Sequence, residues 1–78
     1  MIYKNVNIGR RLREYREKHE ITLEEVADAV NRISKDEDGR MRAAYLSDLE
    51  TGKRKTINTD TLIRICNALG IMADQLLQ

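Results

Sequence analysis

Residues 21–52 read ITLEEVADAVNRISKDEDGRMRAAYLSDLETG, and the architecture of the chain turns on how they are parsed. Thr22 stands just ahead of an apolar-periodic run, with Glu25 three residues on. That spacing is a capping box, in which each side chain satisfies the other's backbone donor. Leu23, Val26, Ala27, Val30 and Ile33 then recur at helical spacing, which predicts a helix running to about Ser34 or Lys35. Residues 35–40, KDEDGR, are polar and include a glycine able to take positive φ, so they end that helix and make a turn. A second helix of the stretch is predicted from about Arg42 to Thr51. Leu46 and Leu49 face inward, Met41 packs at its start, and Gly52 closes it in the left-handed conformation.

Upstream, Val6 to Lys18 form an amphipathic segment with Ile8, Leu12 and Tyr15 on one side. Arg10, Arg11, Arg13, Glu14, Glu17 and Lys18 are left for water, and His19 falls at the C-terminal end, where it suits the helix dipole. Downstream, a basic loop leads to Ile57 and to Asn58, a natural N-cap for a helix bearing Leu62, Ile65, Cys66 and Leu69. Gly70 stops that helix. Ala73 to Gln78, with Leu76 and Leu77, give a short fifth helix that is stable only when packed on the others. Proline is absent and no strand-type alternation occurs. The expectation is an all-α fold, a compact bundle of five short helices in one domain over residues 1–78.

Composition narrows the function. Charged residues are 35% and hydrophobic ones 41% of 78 residues, a soluble globular balance with a modest core. No apolar run approaches bilayer length, and the start MIYKNVN lacks the apolar core of a signal peptide, so a cytoplasmic protein without a membrane partner is expected. Cys66 has no second cysteine to pair with, and one cysteine with one histidine makes no zinc site, so neither metal nor cofactor is expected. The pattern Asp36-Glu37-Asp38-Gly39 suggests part of a calcium loop, but the first ligand position falls on Ser34 and the closing glutamate position on Tyr45. No paired acid and base or activated nucleophile can be assembled, which argues against an enzyme. Net charge is only +1, yet residues 1–20 and 39–56 each carry +3 while 21–38 carry −4. Two basic segments flanking an acidic one are expected if one face meets a polyanion while another is solvated or faces a partner, and chance alternation of surface charge gives the same pattern.

The order of residues resembles the Cro and phage-repressor type of helix-turn-helix family, also called the Xre family. The resemblance is carried by Ile8-Gly9-x-Arg11-Leu12-Arg13-x-x-Arg16, by Ile21-Thr22-x-Glu24-Glu25-Val26-Ala27, by Tyr45 through Arg54 (YLSDLETGKR), and by Leu62-x-x-Ile65-Cys66-x-Ala68-Leu69-Gly70. It implies that the second and third helices form a DNA-reading unit, with the third helix in the major groove. It also implies an ion pair of Arg16 with Glu50, tying the first helix to the end of the third. The sequence departs from the family pattern in four places. The second helix is extended and its turn is longer than the usual turn of about three or four residues. Leu23 replaces a usual phosphate-bonding glutamine, Ala43 and Ala44 occupy positions often held by long polar readers, and Asp48 places an acid near the DNA.

On that resemblance, base reading would fall to Arg40, Arg42 and Tyr45, with the methyls of Ala43 and Ala44 against thymine methyls. Lys53, Arg54, Lys55 and Thr56 would clamp phosphates. Thr22 and Asn58, at helix N-termini, would add backbone amides to phosphates, although capping alone explains both. The partners implied are double-stranded DNA and a second copy of the chain, on a two-fold site; no effector is indicated. The alternative function is a protein-interaction module that keeps the fold and binds a partner, antitoxin-like, through its acidic extension and apolar C-terminus.

Overall fold

The computed structural model describes residues 1–33 and 40–77. Two strands and five helices follow in the order β1 (Ile2–Lys4), α1 (Ile8–Lys18), α2 (Leu23–Ile33), α3 (Ala43–Thr51), β2 (Thr56–Asn58), α4 (Thr59–Leu69) and α5 (Asp74–Leu77). The fold is mostly helical, as its spacing predicts, and the start of α2 has its box in place. Thr22 N donates to Glu25 Oε1 and Glu25 N donates to Thr22 Oγ1, both at 3.0 Å. At the opposite ends of two helices, Gly52 (φ 82°) follows α3 and Gly70 (φ 70°) follows α4, left-handed positions that glycine occupies without strain.

One core joins all the helices. Ile8 and Leu12 of α1, Val26 and Val30 of α2, and Leu46 and Leu49 of α3 are buried with Leu62 and Ile65 of α4, and Leu76 anchors the single turn of α5. Among the described residues none that is buried as a whole is polar or charged, although the Glu50 side chain, paired with Arg16, is itself largely covered. The packing is close enough that Gly9 has no room for a side chain. A Cβ there would run into the Leu49 carbonyl, so α1 and α3 approach backbone to backbone.

Four features differ from the sequence expectation. The N-terminus is a strand: β1 pairs antiparallel with β2 in the register Ile2 with Asn58, Tyr3 with Ile57 and Lys4 with Thr56. The first helix begins at Ile8 instead of Val6, because Asn5 is still held extended by Asn5 N donating to Lys55 O, and its Oδ1 takes the Gly9 amide. Ile33 is 59% exposed, so the apolar stripe of α2 leaves the core one turn early. Leu77 likewise faces outward. The acidic turn at Asp36–Asp38 and the end expected for α2 at Ser34 or Lys35 lie outside the described residues.

Candidate nucleic-acid interface

Packed on α2 and leading into α3, the segment 40–42 is positioned by a side chain on α2. Asn31 Oδ1 accepts from Met41 N at 2.7 Å and Asn31 Nδ2 donates to Met41 O at 2.9 Å, closing a two-bond clamp on the backbone. Met41 is buried, so its neighbours Arg40 and Arg42 turn outward. Arg42 is extended (φ −117°, ψ 146°) and its carbonyl takes the amides of Tyr45 and Leu46, which starts the helix.

These residues edge an open groove of about 550 Å³ lined by Arg40, Arg42, Tyr45, Asp48, Arg54 and Arg64, together with Met41 and Thr61. The Arg54 guanidinium lies 4.6 Å above the centroid of the Tyr45 ring. That is cation–π geometry, and it links α3 to the loop that follows. Arg54 therefore joins Arg40 and Arg42 in the groove, apart from Lys53 and Lys55. The backbone of the loop is held from behind by Asn5, whose Nδ2 donates to Leu49 O (2.9 Å) and Arg54 O (2.7 Å).

The remaining candidates are distributed elsewhere. Ala44 is exposed, whereas Ala43 lines a second hollow of about 620 Å³ with Arg16, Glu17, Glu20, Leu23 and Glu24. Thr56 and Asn58 sit in β2, paired with β1. The Asn58 side chain accepts from Thr61 N at 2.8 Å, and Thr59 N donates to Met1 O at 2.9 Å, so amides at the start of α4 are already engaged. At Thr22 both the amide and the hydroxyl are used in the box with Glu25. Arg16 and Glu50 meet fork to fork, Nε to Oε2 and Nη2 to Oε1, each at 2.9 Å, while Arg16 Nη1 donates to Ile21 O at 3.0 Å.

The charges carry this geometry into their proton affinities. The hydrogen bond to Glu50 raises the Arg16 pKa above its ordinary value, against an opposing desolvation. The Glu25 carboxyl is lowered by the Thr22 amide first and the Thr22 hydroxyl second. Burial raises the Cys66 thiol, which lies in the core. Among the described residues no group of three His, Cys, Asp or Glu side chains is placed to hold a metal ion, and no helix is long and apolar enough to cross a membrane.

A family model described as a helix-turn-helix domain matches residues 9–78. The chain belongs to the helix-turn-helix domain family. Neither a curated protein nor a solved structure matches it. Membership in this helix-turn-helix family points to DNA binding, and it gives the groove beside α3 a context.

Within the helix-turn-helix fold, four residues that line the groove or hold its backbone are not singled out by sequence reasoning. Arg64 and Thr61 reach it from α4, and Asn31 and Asn5 fix the backbone on either side of α3. Arg64 carries a signal, being the lone base among residues 57–78. Asn5 and Asn31 carry none, since their partners lie 44 and 10 residues away.

Proposed function

We propose that the chain is a sequence-specific DNA-binding transcriptional regulator of the Cro and phage-repressor type. In this reading α3 lies in the major groove of duplex DNA, and two copies bind a two-fold site in the cytoplasm. The observation that carries it is the groove at the start of α3, where Arg40, Arg42, Arg54 and Arg64 stand around Tyr45, with Asp48 as the one acid in the lining among the described residues. Guanidinium groups supply paired donors that match guanine O6 and N7, and Asp48 is an acceptor for a cytosine amino group. Arg42, just ahead of α3, is the leading base reader. Arg40 and the Tyr45–Arg54 pair flank it. Lys53 and Lys55, exposed on the following loop, hold phosphates, which sets position without reading sequence. Thr22 and Asn58 serve as caps first, so their share in phosphate binding is small. Ala44 presents a methyl for thymine contact.

Titration of labelled duplexes at graded salt tests the reading. Affinity falling linearly in log–log form with salt, together with enrichment of one sequence from random duplexes, is the expected result. Salt-insensitive association with protein and no affinity for any duplex would replace it with the interaction-module reading.

A further inference from the structure

The ladder between β1 and β2 has a definite phase. Thr59 N donates to Met1 O at 2.9 Å and Asn5 N to Lys55 O at 2.8 Å, with Ile2 opposite Asn58 between them. Hydrogen-bonded and non-bonded pairs alternate along an antiparallel ladder. Residues 1, 3 and 5 therefore turn their backbone groups toward β2, and Ile2 and Lys4 turn theirs to the outer edge. Among the described residues no third strand pairs there, since the sheet contains β1 and β2 alone. An edge of this kind is a template for another strand.

We infer that the outer edge of β1 is the self-association surface of the chain, pairing antiparallel with β1 of a second copy about a two-fold axis at Tyr3. The pattern is self-complementary. Ile2 of each copy exchanges both backbone bonds with Lys4 of the other, giving four hydrogen bonds and one sheet in the order β2, β1, β1, β2. Tyr3 faces its twin as a non-bonded pair, the closer kind, which suits aromatic side chains. Ile2 of each copy, 68% exposed, lies along the seam beside the aliphatic stem of the other copy's Lys4, and Met1 stands opposite Asn5. No two Lys4 ammonium groups stand directly opposite, because each faces an Ile2.

The size of the seam sets its strength. Six or so residues from each copy fall well short of the roughly 20–30 a side of a standard interface. The pair is weak in free solution, and two adjacent half-sites on DNA reinforce it. The inference deepens the proposed dimeric regulator, but its test is independent of DNA.

The test is sedimentation of the full chain across concentration, beside Lys4→Pro and Tyr3→Cys variants. Proline at position 4 removes an outward N–H and leaves the bonds to β2 intact, a substitution edge strands tolerate. The parent is expected to shift from one-chain to two-chain mass with rising concentration, and Lys4→Pro to lose that shift while keeping its helical content. Under oxidation Tyr3→Cys should form a disulfide-linked pair, because facing Cα atoms in a non-bonded pair lie about 4.5 Å apart, within disulfide reach. A parent that stays monomeric at every concentration, a folded Lys4→Pro that associates like the parent, or a Tyr3→Cys variant that yields no linked pair would each overturn the inference. Loss of DNA binding alone, with self-association intact and sensitive to Lys4→Pro, would instead sink the regulator reading.

Discussion

Among single residues, Glu50 is costly to remove. Its carboxylate is 5% exposed and Arg16 is 17% exposed, so both charges are largely out of water and each depends on the other. Removing one partner strands a buried charge, so Glu50→Ala or Arg16→Ala should cost about 3–5 kcal/mol in urea unfolding. The double replacement Arg16→Met with Glu50→Leu should cost much less than the sum, because the desolvation of both ions disappears with the pair. Glu25 gives a test by pH. Its pKa is lowered in the folded chain by the bonds from Thr22, so its ionised form favours the folded state. That contribution is complete above the ordinary carboxylate range and is lost as pH falls through the lower folded value. Glu25→Gln keeps a side chain that can reach back to Thr22 but cannot titrate. The stability difference between parent and Glu25→Gln should therefore shrink as the medium is acidified below about pH 4.5; a difference unchanged down to strong acid would mean the box carries no ionic component.

Among the elements, what the sequence makes legible depends on how local the cause is. The box of Thr22 and Glu25, the Asn58 cap and the glycines after α3 and α4 act within one turn, and they can be read without the rest of the chain. The strands cannot. Ile2–Lys4 and Thr56–Asn58 are three residues each, too short for a period of two to register, and the pairing joins segments more than 50 residues apart. The start of α1 is hidden for the same reason: Val6 continues the helical spacing, but the tie between Asn5 and the loop at Lys55 holds the chain extended. In the candidate site, Arg42 just ahead of α3 and Tyr45 in its first turn are legible from their place in the sequence. The stacking of Arg54 on Tyr45 and the reach of Arg64 from α4 are products of tertiary packing. The clamp between α2 and α3 rests on Asn31, so Asn31→Ala should remove two bonds to the Met41 backbone and cost about 1–3 kcal/mol in thermal unfolding. Faster amide exchange at Met41 should accompany it, and an unchanged rate there would contradict the clamp. Gly9→Ala forces a methyl onto the Leu49 carbonyl, where α1 and α3 cannot both stay in place. A destabilisation of about 1–3 kcal/mol is expected in the same unfolding measurement.

For the molecule as a whole, DNA binding in the proposed reading divides between a cationic loop and a reading groove. Replacing Lys53 and Lys55 with alanine should weaken every duplex alike and lower the salt slope by about one unit for each phosphate left without its lysine. Arg42→Ala should behave differently, relaxing choice at one base pair by about 1–3 kcal/mol if its guanidinium grips guanine through two bonds. The alanines at 43 and 44 donate no side-chain hydrogen bonds, so directly read positions should be few in each half-site, with half-sites about one helical turn or a multiple apart. Whether the groove at the start of α3 reads sequence is decided by selection from randomised duplexes, carried out in parallel with the parent, Arg42→Ala and the Lys53→Ala, Lys55→Ala double variant. The double variant is expected to enrich the parent's sequence with uniformly lower affinity, and Arg42→Ala to relax preference at one position of each half-site. An Arg42→Ala chain that enriches the parent's sequence with undiminished preference would contradict a reading groove at α3.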